Sequence, residues 1–186
     1  MLEELVQLFL AEGFAAFGVD DLARRLKCSK STLYALAPSR EQLVAVVVRE
    51  FFRRSTDRVE LELASQHDPL DRIGTYLRAI AGALAPASNA FFADLERFAP
   101  AREIYRQNTA IAAGRVRELV ATAEGAGHAQ HASFIGAVAA TVMESIQLGE
   151  VAALASINDA RAYQMLADLV VSGVTSHIGQ TESEQR

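Results

Sequence analysis

The chain has 186 residues, 51% of them hydrophobic and 22% charged, which is ample for a buried core and excludes a mostly disordered protein. One Cys excludes a disulfide-stapled fold and a Cys-based zinc site, and four His leave little material for a catalytic or metal centre. The net charge of −5, taken alone, argues against a protein that coats nucleic acid.

Taken in chain order, the apolar spacing is helical throughout. Leu2, Leu5, Val6 and Phe9 predict an amphipathic first helix that stops at Gly13. Val19, Leu22, Ala23 and Leu26 repeat the spacing in a second, short helix. Ser29 reads as an N-cap whose hydroxyl accepts from the N–H of Ser31 or Thr32, opening a third helix from Lys30 to about Leu36 that ends before Pro38. Ser39, with Gln42 in the capping-box position, opens a fourth helix to about Gln66. Asp68-Pro69 is a cap followed by Pro at the first helical position, so a fifth helix runs from Pro69 to about Leu84. Ser88 or Asn89 starts a sixth, to about Phe98, and Pro100 starts a seventh, to about Glu124. After the Gly125–His128 break, an eighth helix spans His131 to about Ala155. Asn158 or Asp159 caps a ninth, to about Ile178, and TESEQR reads as a polar tail. No segment alternates with period two, so the expected fold class is all-α.

The opening MLEELVQLFLAEG has acids where a signal peptide carries Lys or Arg. The apolar part of the longest uncharged stretch, Phe134 to Met143, falls well short of the roughly 20 residues a bilayer span needs. The expectation is a soluble, cytoplasmic protein. Its charge is uneven. Leu22 to Arg58 holds nine bases against three acids, a block of +6 that leaves −11 for the remainder. A basic block in an acidic chain marks a polyanion-binding face or a solvated helical face.

Three short helices joined by two tight turns in the first 37 residues fit a helix-turn-helix. A helix that enters the major groove must be exposed and carry small polar side chains. Lys30, Ser31 and Thr32 supply these, Leu33 faces the core, and Tyr34 sits one turn on, within reach of a phosphate. Gly-rich phosphate loops, Gly-x-Ser-x-Gly and His-Glu-x-x-His are missing, so an enzyme is not expected, nor a cofactor or metal. Cys28 reads as a small buried residue under the turn, and His128 and His131 as structural or solvated.

CSKSTLYALAPSREQL resembles the signature of tetracycline-repressor (TetR) family regulators, and LFLAEGFAAFGVDDLARRL resembles that family's first two helices. The resemblance covers about residues 5–45. It implies a helix-turn-helix DNA-binding domain over residues 1–45, a ligand-binding and dimerisation domain over 46–180 and a flexible tail over 181–186. It implies base contacts from Ser31 and Thr32, a base or phosphate contact from Lys30, and phosphate clamps from Tyr34 and Arg40. The N–H groups near Ser39 and Arg40 add a further phosphate contact. Lys27 is another basic candidate of this face, standing where a turn Gly is usual; a positive φ there costs it roughly 1 kcal/mol. Phe17-Gly18 replaces the usual hydroxyl cap of the second helix, and Ala35-Leu36-Ala37 an aromatic-rich helix end. Fewer phosphate contacts flatten the salt dependence, by roughly 0.9 in slope for each one lost.

The Ala- and Gly-rich run IAGALAPASNAFFA leaves room for an apolar small-molecule pocket. Candidates to line it are Tyr76, Ile80, Phe91, Phe92, Leu95, Tyr105, Ile111 and Met143, with Asn89, Asn108 or Glu144 as polar handles. Core packing explains each equally well. The adjacent Phe91 and Phe92 cannot share one core line, so one of them is expected in a cavity or interface. Ile135, Val138, Val142, Ile146 and Leu154 form one apolar face, and Leu166, Leu169, Val170 and Val174 another, with Gly136 and Gly173 allowing close approach. By resemblance these faces pair with a second subunit in a four-helix interface. Two recognition helices then lie roughly 34–36 Å apart, or somewhat more, on an inverted-repeat operator in double-stranded DNA. A small-molecule effector would tilt the fourth helix and release the DNA. A helical ligand-binding protein with weak DNA binding is the alternative reading.

Overall fold

The computed structural model describes the backbone of residues 1–123 and 129–184, and the side chains of residues 1–123 and 133–172. Among them are ten helices and no strand: α1 (Leu2–Glu12), α2 (Val19–Arg25), α3 (Lys30–Tyr34), α4 (Arg40–Ala64), α5 (Pro69–Leu84), α6 (Asn89–Arg97), α7 (Ala99–Ala123), α8 (Ala129–Gln147), α9 (Glu150–Ala155) and α10 (Asp159–Glu184). The fold is all-α. His128, and the side chains of His131, Gly173 and Val174, lie outside the described residues.

Helix starts are set by the side chains that absorb their orphan N–H groups. Ser29 accepts from Thr32 N at 3.1 Å, Ser39 from Gln42 N at 3.2 Å and Ser88 from Phe91 N at 3.2 Å. Asp68 accepts from Leu70 N and Asp71 N, ahead of Pro69 at the first position of α5. Asn158 accepts from Arg161 N at 2.9 Å, which makes it the cap of α10. The expected single helix to Ala155 is instead two. Gly149 takes φ 72, its N–H closes on Ile146 O at 2.9 Å, and α9 begins anew at Glu150. A left-handed residue cannot continue a right-handed helix, and Gly adopts that conformation without cost. At the other end, α10 continues through Thr181 to Glu184.

The chain divides into two compact units, Met1–Ser55 with Pro86–Asn108, and Thr56–Ala85 with Thr109–Arg186. In the first unit α1 packs on α6 and α2 on α3. Its centre is aromatic. Phe91 meets Phe14 and Phe51 edge-on at 6.1 and 5.4 Å between ring centroids, and Phe52 stacks on Tyr105 at 5.4 Å. Phe91 and Phe92 are both buried, in one cluster. Phe91 points to Phe14 and Phe51 while Phe92 turns towards Tyr105 of α7, so α6 is enclosed on two sides.

In the second unit α5 packs along α10, and α8 against α9 and α10. A Cβ at Gly136 of α8 would stand 2.5 Å from Val120 Cγ2 of α7, so the close approach this glycine allows is made within the chain. Arg115 grips Glu60 with two bonds of 2.9 Å and Glu118 with one of 2.8 Å. Burial pushes the phenols of Tyr76 and Tyr163 well above their ordinary range, so both stay neutral.

Candidate nucleic-acid interface

The reading head is placed by the link between α1 and α2. Gly13 ends α1 at φ 75 and ψ −169, and its N–H returns to Phe9 O at 2.8 Å. The next residues are clamped twice. Asp94 of α6, buried, accepts from Phe14 N at 2.6 Å and Ala15 N at 2.7 Å. Arg40 of α4 donates to the carbonyls of Phe17 (2.6 Å), Phe14 (2.8 Å) and Ala15 (3.1 Å). At the start of α2 the Asp21 carboxylate accepts from Gly18 N at 3.1 Å, the half of a capping box that asks for no side chain on the cap residue.

The turn from α2 to α3 runs through Lys27 at φ 52, the positive value that a glycine would hold without strain. Lys27→Gly is therefore expected to raise stability by about 1 kcal/mol. A urea midpoint that does not rise would contradict this. Cys28 is a free, half-buried thiol, less enclosed than the sequence suggests. Beyond it, Leu33 plugs α3 into the core while Ser29, Lys30, Ser31 and Thr32 are exposed, and Tyr34 is 48% exposed. The hydroxyl of Ser29 lies 2.7 Å from those of both Ser31 and Thr32. A one-and-a-half-turn helix thus shows solvent a small polar face, a cation and a phenol.

The electrostatics differ from the sequence count. Of the nine bases between Leu22 and Arg58, only the side chains of Lys27 and Arg49 lack a polar or ionic partner among the described residues. Arg24 pairs with Asp21, Arg25 with Glu12, Lys30 with Asp20 and Arg54 with Glu3. Those four acids precede Leu22, outside the counted window. Residues 1–47 hold five bases against six acids, so the head itself is not cationic. Lys30 holds its proton more tightly than an isolated lysine, first because its ammonium donates to Asp20 and then through that carboxylate's charge. Arg40, expected on a phosphate, is occupied by three backbone carbonyls, and Ser39 by the cap of α4.

The other candidates fall as follows. Phe91, Phe92, Leu95, Tyr105 and Asn108 belong to the first unit, and Tyr76, Ile80 and Met143 to the second. The first unit has a separate open groove of about 470 Å³ beside the α3–α4 turn, lined by Leu36, Pro38, Glu41, Val46, Arg49 and Pro100 among others. Of the dimer candidates, Ile135, Ile146, Leu166 and Val170 are buried within the single chain, whereas Val138 and Val142 are half-buried and Leu169 is 63% exposed. Exposed apolar side chains missed in the sequence are Leu61, Phe134, Leu148 and Met165. Phe134 precedes Val138 by four positions and Met165 precedes Leu169 by four, so each pair shares a helix face. Among the described residues no group of three His, Cys, Asp or Glu stands ready for a metal. Among them, too, no helix is long and apolar enough to cross a membrane.

A three-helix head that buries Leu33 and presents Lys30, Ser31 and Thr32 defines a helix-turn-helix DNA-binding protein. Residues 1–47 match the family described as bacterial regulatory proteins, tetR family. It is similar in fold to the crystal structure of the TetR family transcriptional regulator PfmR from Thermus thermophilus. The TM-score is 0.56 at 18% identity, over 92% of this chain and 97% of that one. No curated protein matches the chain.

Proposed function

We propose that this DNA-binding regulator is a cytoplasmic repressor that grips an inverted-repeat operator as a homodimer and lets go when a small apolar molecule binds. The observation that carries the reading is α3, whose exposed Lys30-Ser31-Thr32 face is backed by the buried Leu33. Residues 1–45 act as the reading head, and the helices after them bind effector and partner. Ser31 and Thr32 read base edges, and Tyr34, Lys30 and Lys27 meet phosphates. The second subunit covers Phe134, Met165 and Leu169, apolar side chains on α8 and α10 that one chain leaves in water, and the half-buried Val138 beside Phe134.

Release follows from the clamps on the α1–α2 link. Arg40 belongs to α4 and Asp94 to α6, so a shift of either helix moves backbone groups of residues 14–17 and with them α2 and α3. An effector that favours the shifted state needs about 1–3 kcal/mol of differential binding to act as a switch.

Selecting bound sequences from a random duplex pool tests this reading. The expected result is a two-fold symmetric consensus with half-sites about one helical turn apart, and a Thr32→Ala protein whose consensus relaxes at one position per half-site. A consensus without two-fold symmetry, or one unchanged by Thr32→Ala, overturns it.

A further inference from the structure

The head is electrically self-satisfied. Four of its five bases up to residue 47 are engaged, and three of these face carboxylates of α1 and α2. Two of the three pairs have structural partners beside them. Asp21 also caps α2 through Gly18 N, and Arg25, paired with Glu12, lies over the Phe17 ring at 5.1 Å. The third pair has neither. Asp20 and Lys30 are 66% and 56% exposed, and neither carries another bond. Yet Lys30 is the first residue of α3, on the face proposed above to meet DNA.

We propose that Asp20 sets this protein's affinity for DNA by holding the Lys30 ammonium, so that binding is an exchange of one anion for another. The inference rests on the DNA-binding reading of α3. When Lys30 moves to a phosphate it displaces a condensed counterion from the duplex, as any lysine does. Asp20 is then left bare beside a polyanion and gathers a cation of its own. Release and uptake cancel, and the contact adds nothing to the salt dependence. Neutralising Asp20 restores the missing released ion. Because the observed affinity scales with salt to the power of about −0.9 per released ion, that ion is worth about eightfold at about 0.1 M salt.

The experiment measures the full-length protein on a random-sequence duplex of about 20 base pairs over a series of salt concentrations, by fluorescence anisotropy. Parent, Asp20→Asn, Lys30→Gln and the double variant are compared, each with its melting temperature. Asp20→Asn is expected to bind about eightfold tighter at about 0.1 M salt, with a log–log salt slope steeper by about 0.9. In the Lys30→Gln background the same change is expected to gain less than about twofold, with little change of slope. A purely structural role for Asp20 moves the melting temperature but not the slope. Equal slopes and affinities for parent and Asp20→Asn overturn the proposal while leaving DNA binding intact. A gain undiminished without Lys30 also overturns it, because the carboxylate then acts only by general repulsion. Absence of salt-dependent binding in all four proteins overturns the DNA-binding reading and the proposal together.

Discussion

Replacing Asp94 by Ala is expected to destabilise the protein by about 3 kcal/mol, a fall of about 6–12 °C in melting temperature for a chain of this size. The carboxylate is buried, and one of its oxygens accepts two short bonds, from Phe14 N and Ala15 N. Charge-assisted bonds of this kind are the strong ones, at about 1.5–3 kcal/mol each. Their removal strands an amide at Phe14, whose side chain is in the core, so water cannot replace what is lost. Asp94→Asn keeps an acceptor but not the charge, and should fall between parent and Ala. A melting temperature within about 2 °C of the parent's for the Ala variant would show that the α6 clamp is dispensable.

Gly13→Ala is expected to cost about 4 kcal/mol. The backbone at φ 75 and ψ −169 lies in a region that is essentially reserved for Gly, worth about 1–3 kcal/mol. The added Cβ would also stand 2.5 Å from Asp94 Oδ2 and 3.2 Å from Ala90 Cβ, so the carboxylate must leave its two amides. Both substitutions then break the same bonds. The double variant Gly13→Ala with Asp94→Ala should therefore lose less than the sum of the two singles, by about 1–3 kcal/mol. Strict additivity in chemical denaturation would separate the two effects and count against this account.

What the sequence discloses here is mostly local. Ser29, Ser39, Asp68 and Asn158 could be read as caps because a cap needs only the next three residues. Lys27 could be suspected of positive φ from its place in a turn, and the backbone has it. What escaped depends on residues far apart in the chain. Asp94 lies 80 residues from the amide it holds, with nothing near it in sequence to distinguish it from any surface carboxylate. The three carbonyls that Arg40 holds lie 23 to 26 residues away, so its grip on the α1–α2 link could not be read from its neighbours in sequence. The basic block depended on where counting began, since its neutralising acids sit just upstream or across on α1. The apolar faces of α8 and α10 were found, but not their inner and outer halves. Ile135 and Phe134 are adjacent and equally apolar, and only packing says which is buried.

The three neighbouring hydroxyls at the start of α3 have one more effect. Ser29 stands at equal distance from Ser31 and Thr32, and in each pair either oxygen can be the one that gives its hydrogen. Rotating the trio reverses the direction of giving without moving a heavy atom. In the proposed reading, Thr32 can then meet an adenine amino group or a thymine carbonyl with equal ease, and what it cannot rotate away is its methyl group. Discrimination at that base pair should come from the fit of this methyl against the groove floor, in preference to any fixed order of donors and acceptors.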